Sequence, residues 1–156
     1  MVTPGNAHMC TGRYRVAPSD SVRTLAHRGL EFVRKPPVMA SAKLLELGEG
    51  ICMEALRESI RPEQCSLGTR QLAAHRAPVP IGATLAIAAR QIGGEGSRSE
   101  WYVAIREELG SDERRLVWEG MLSFAVVDQF RFERERIAAR RPRPARTPQP
   151  ALAGNR

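Results

Sequence analysis

Apolar positions along this chain change their spacing near Pro62. Upstream, from Ala40 to about Ile60, they recur every three to four residues, the period of a helix of about five turns. Downstream the spacing falls to two. Thr69–Ala77, Thr84–Ile92, Trp101–Glu108 and Leu116–Val127 read as strands, joined by "APVPIG", "GGEGS" and "GSDE". An earlier alternating segment, "TGRYRVAP" (Thr11–Pro18), predicts a first strand. Ser19–Lys35 reads equally as a short helix or an irregular excursion closed by "KPP". Connections this short suit antiparallel neighbours. One long helix and one sheet bury each other only if the sheet curls around the helix. The pattern therefore predicts an α+β domain, an antiparallel sheet wrapped on a central helix. Its open edge or face is where two copies would pair as a homodimer.

One charge breaks the helical pattern. With Leu45 set at 0° and about 100° per residue, Cys52, Leu56 and Ile60 fall near −20°, +20° and +60°. Leu44, Ile51 and Ala55 extend this stripe on one side, while Lys43, Glu46, Glu54, Arg57 and Glu58 share the opposite face. Glu49 lands near +40°, inside the stripe. A carboxylate there is costly unless it is paired, hydrogen-bonded or protonated, so it reads either as a rim side chain with a polar partner or as a reactive group lining a cleft. Gly48 and Gly50 flank it, which makes sense if something approaches the helix closely.

Two further groups can reach the same cleft. Ser41 lies near −40° at the helix start, where capping alone would explain a serine. His75 ends a strand among Leu72, Ala73 and Ala74, where an imidazole is ordinarily structural or solvated. Together the three supply a hydroxyl, a carboxylate and an imidazole, a set able to orient water or an acyl group. Cys52, in the stripe, and Cys65 read as packing or surface thiols.

Charge and composition narrow the classes. The net charge is +7, but Arg131–Arg156 carries +6 of it, so the basic character belongs to an Arg/Pro-rich tail. The expected organisation is a disordered stretch at 1–9, a folded domain at 10–132 and a disordered tail at 133–156. No aromatics interleave with the tail arginines, so nucleic acid is not the expected partner. Three cysteines without metal-ligand spacing predict no metal site and no disulfide framework. No apolar run is long enough to span a bilayer, and the N-terminal residues lack a secretory apolar core; the expectation is a cytoplasmic protein.

The segment "VMASAKLLELGEGICMEALRESIRPEQCSLGTRQLAAHRAPVPIGATLAIAA" resembles the fluoroacetyl-CoA thioesterase family of hotdog-fold acyl-thioester hydrolases. The likeness rests on Ala40-Ser41-Ala42, a Glu eight residues after Ser41, then Ser66-Leu67-Gly68-Thr69, then His75. It implies a hotdog fold paired into a dimer, an acyl-CoA or acyl-carrier-protein thioester substrate and no cofactor. It also implies catalytic roles for Ser41, Glu49 and His75. Glu49 would be general base or nucleophile, and the Gly68 N–H would donate to an oxyanion. Thr69, Phe32 and Met39 would join Gly68 at the substrate. The fluoroacetyl-CoA enzyme has Thr where Ser41 stands, and either residue supplies the hydroxyl. It departs from this chain in a Gly-Phe pair at Ala42-Lys43, an aromatic near Lys35, where only Phe32 remains, and an arginine at Phe124. These departures point to an acyl group other than fluoroacetyl. A hotdog domain that binds thioesters or dehydrates them without hydrolysis is the alternative reading.

Overall fold

A computed structural model describes residues 8–138. Its strands are β1 (Met9–Arg15), β2 (Gln64–His75), β3 (Thr84–Gly93), β4 (Arg98–Glu108) and β5 (Arg114–Asp128). They form one antiparallel sheet in the order β1-β3-β4-β5-β2, which leaves β2 at an edge. Between β1 and β2 run two 3-10 segments, Pro18–Asp20 and Val22–Arg28, then the short helix α1 (Leu30–Arg34) and the long helix α2 (Ser41–Arg57). Helix α2 touches all five strands, so the sheet wraps it as the apolar pattern requires. No helix among the described residues is long and apolar enough to cross a membrane.

The core forms where the two periodicities meet. Leu44, Gly48, Cys52 and Leu56, four residues apart, are the buried line of α2. They face Leu85, Ile87, Trp101, Val103, Leu122 and Phe124. Leu45, the expected centre of the stripe, is only half-buried, so the core line sits closer to −40° on the wheel and Glu49 falls at its margin. Lys43 turns outward to Glu46, with 2.8 Å between Nζ and Oε2.

Several boundaries differ from the sequence expectation. Strand β1 begins at Met9, within the stretch expected to be disordered; residues 1–7 lie outside the described residues. Strand β2 begins at Gln64 rather than Thr69, because Thr69 is an extra residue in a bulge between Gly68 and Arg70 that hides the alternation. Helix α2 ends at Arg57, short of Ile60. After β5 the chain stays helical through α3 (Gln129–Phe132) and a wider turn at Glu133–Ile137, and the rest of the tail lies outside the described residues.

The segment before α2 fixes where that helix starts. Asp20, 3% exposed, accepts hydrogen bonds on Oδ2 from Tyr14 Oη at 2.7 Å and from the Ala17 N–H at 2.8 Å. Its carbonyl accepts the Ala40 N–H at 2.8 Å, and the Met39 N–H reaches Val79 O at 2.8 Å. The Tyr14 hydroxyl is pushed up to about 12, first by the bond to Asp20, then by burial and by the Asp20 charge.

Candidate active site

Helix α2 begins on Ser41, with Ala40 as the capping residue and no side-chain cap. The Ser41 hydroxyl is therefore not spent on the helix. Its Oγ lies 2.8 Å from His75 Nδ1. His75 Nε2 lies 2.8 Å from the Ala77 carbonyl, which can only accept, so Nε2 carries the proton and Nδ1 accepts from Ser41 in the neutral ring. The imidazole is thus fixed from behind by backbone, and Ser41 is the member of the pair that lies before Nδ1.

Glu49 follows two turns later, about 12 Å along the helix from Ser41. Gln71 Nε2 donates a hydrogen bond to Glu49 Oε1. The same oxygen presses on Gly68, where a Cβ would lie 2.9 Å from it. A side chain at position 68 would displace the carboxylate, which is the physical reason for a glycine there.

Both stations use one face of β2. Gly68, Gln71, Ala73 and His75 pair with Phe124, Leu122, Gly120 and Trp118 of β5, and all four partners are buried on the helix side. The structure thus brings Ser41 to His75 and Glu49 to Gly68 and Gln71. Among the described residues no hydrogen bond joins Glu49 to His75. Ser41, Gln71 and His75 are exposed, and the groove between α2 and the β2 edge is open. A cavity of about 530 Å³ lies at the far end of α2, between Leu56, Ser59, Gln64 and Arg98, and none of the three expected catalytic residues lines it.

The remaining expected residues spread more widely. Thr69 donates from Oγ1 to the Ser123 carbonyl at 3.1 Å, tying down the bulge. Met39 is 2% exposed and packs in the core. Phe32 lies on α1 with Lys35 Nζ 4.6 Å from its ring centroid. Gly48 does admit a close neighbour: a Cβ there would lie 3.0 Å from the Trp118 ring, whereas Gly50 has nothing within 4 Å. The Cys52 thiol is fully buried and pushed up to about 12, chiefly by burial and then by Cys10 and Glu49, which disfavours a thiolate nucleophile. Among the described residues no group of three His, Cys, Asp or Glu could hold a metal ion.

Gln71 is the site residue that sequence reasoning missed. Counting back from His75 in steps of two reaches it on the helix-facing side, and that was the available signal.

A long helix wrapped by one antiparallel sheet places the chain among the hotdog-fold thioesterases. The chain superposes on a solved fluoroacetyl-CoA thioesterase, FlK, with TM-score 0.78 at 26% identity, covering 87% of this chain and 96% of that one. A hot-dog-like protein from Thermanaerovibrio acidaminovorans shares the fold, with TM-score 0.71 at 19% identity over 88% of this chain and 93% of that one. More narrowly, the chain belongs to the fluoroacetyl-CoA-specific thioesterase family, whose pattern matches residues 19–129. The fluoroacetyl-CoA thioesterase of Streptantibioticus cattleyicolor is 33% identical over 104 residues, 65% of this chain and 75% of that one.

Proposed function

We propose that this thioesterase hydrolyses an acyl-CoA whose acyl group is not fluoroacetyl, in the groove between α2 and β2. The observation carrying this reading is the Ser41–His75 hydrogen bond, with Glu49 held on the same strand face. Glu49 is the reacting carboxylate. It either takes a proton from the attacking water or attacks the thioester carbonyl carbon itself. The C–S bond then breaks and the leaving thiolate needs a proton. In the neutral ring Nδ1 only accepts from Ser41, so the relay runs from the imidazolium. Ser41 passes its hydroxyl proton to the thiolate and regains one from Nδ1–H, leaving a neutral ring that solvent reprotonates. The Gly68 N–H donates to the carbonyl oxygen as it becomes negative.

Specificity away from fluoroacetyl is supported by Phe124, 1% exposed in the core where the family pattern carries an arginine, and by Lys43, held by Glu46 where it carries an aromatic. A homodimer through the β2 edge is supported by the open groove and by exposed Leu72 (60%) and Met121 (47%), paired on the outer face. Light scattering on wild type and Leu72→Lys tests the dimer: twice the chain mass is expected for the former, and a monomeric wild type overturns it.

Thiol release from a panel of short-chain, aryl and fluoroacetyl CoA esters tests the reaction. Turnover highest on an ester other than fluoroacetyl, and abolished by Glu49→Ala and His75→Ala, is the expected result. A wild type no faster than these variants overturns the assignment of the site. A single turnover in 18O-labelled water identifies the nucleophilic route where label appears on Glu49, which happens when water opens the mixed anhydride at the Glu49 carbonyl and never when Glu49 is a general base.

A further inference from the structure

We propose that Gln71 is a positioning residue that sets the orientation of the Glu49 carboxylate; this rests on the reading of Glu49 as the reacting group. The geometry is one-sided. Strand β2 holds Oε1 through the Gln71 amide and confines it against Gly68, while Oε2 has no hydrogen-bond partner among the described residues. A glutamate side chain has three rotatable bonds, and its last torsion is broad and nearly free. Fixing one oxygen removes that freedom and leaves the other to meet water or the thioester carbonyl.

The chemistry of the donor matters as much as its place. A lysine or arginine at position 71 would pair with the carboxylate and draw down the electron density that the reaction uses. A neutral amide orients the group without neutralising it. Gln71 is exposed at the sheet edge, so its side chain contributes little to the core. A polar side chain on the helix-facing side of β2, bonded to the one carboxylate that departs from the polar face of α2, has its explanation in that carboxylate.

The test uses Gln71→Met, which keeps length and removes the donor, alone and combined with Glu49→Asp, whose shorter carboxylate cannot reach position 71. Gln71→Met is expected to lower kcat roughly tenfold to a hundredfold, as misplacing a reacting group does. KM should stay within about twofold of wild type. In the Glu49→Asp background the same change should cost nothing further. An unchanged kcat, a loss carried by KM, an equal loss in both backgrounds, or a Glu49→Asp enzyme as fast as wild type each overturns the proposal. Wild-type turnover by Glu49→Ala sinks instead the reading it rests on, whereas an inactive Glu49→Ala beside a fully active Gln71→Met sinks only the role of Gln71.

Discussion

Ser41 Oγ meets His75 Nδ1 at 2.8 Å across 34 positions of sequence, and both side chains are exposed. If His75 works through Ser41, the two residues form one unit. Ser41→Ala and His75→Ala should then each lower kcat by roughly a hundredfold or more, and the double variant should be no slower than the worse single one. Ser41→Thr should keep most of the activity. Multiplicative losses in the double variant would mean that the two residues act separately.

Gly68→Ala should push Glu49 out of place, because the added methyl would sit 2.9 Å from Oε1. The carboxylate is the end of a flexible side chain, so the fold should yield there at little cost. Thioester turnover should drop roughly tenfold or more while the melting temperature barely moves. A stability loss without an activity loss would count against the placement of Glu49.

The two helix glycines should respond in opposite directions. Gly50→Ala meets nothing and should stabilise the fold by about 0.5–1 kcal/mol through helix propensity. Gly48→Ala must displace a buried indole and should destabilise by about 1–2 kcal/mol despite the same propensity gain. Urea melts of both variants decide this.

Tyr14→Phe removes the bond that steadies Asp20 ahead of α2 and should cost about 1 kcal/mol at neutral pH. The Tyr14 pKa is raised from its ordinary value of 10.0 to about 12 in the folded chain. Its contribution is therefore whole below the ordinary value and is lost as pH rises through the folded one. The stability gap between wild type and Tyr14→Phe should narrow over that alkaline window in melts run at stepped pH.

Cys52 should resist alkylation. Burial holds its thiol protonated, so iodoacetamide at mildly alkaline pH should leave it unmodified until the chain is unfolded, as read by peptide mass spectrometry. Cys52→Ala should still release thiol from the preferred ester, with some loss of stability.

How much of this was legible in the sequence depended on whether a periodicity ran unbroken. Helix α2 and the strands after Thr84 announce themselves through regular spacing. The break in the apolar stripe singles out Glu49, with Ser41 and His75 as groups able to join it, and the family resemblance supplies their catalytic roles. The buried line through Leu44 and Cys52 was read about half a position off, because Gly48 counts for nothing on an apolar wheel yet sits on the core side under Trp118. Gln71 lies on the unbroken alternation back from His75, so what the sequence concealed was not its side of the strand but its neighbour Gly68. Strict alternation from His75 puts Thr69 on the helix side and Gly68 on the other. The bulge at Thr69 reverses that order and sets Gly68 beside Gln71. No local composition signals that reversal, so only the folded ladder shows which side chains share the carboxylate.

Trp118 has a consequence for the groove as well as for the core. Its indole is wedged between Gly48 of α2 and Gly120 of β5, where added methyls would stand 3.0 and 2.6 Å from the ring, and its backbone is paired with His75. The bulk of one aromatic ring therefore sets how far the helix stands off the sheet at Gly48, beside Glu49. Glycine on both sides makes that ring a spacer whose size can be traded against its neighbours without altering the connectivity of the fold. A relative with a smaller residue there and a larger one on the helix could keep the same hydroxyl and imidazole while offering a different width to the acyl group. Substrate range in such a scaffold can thus be tuned from beneath the site, by a buried residue of the core.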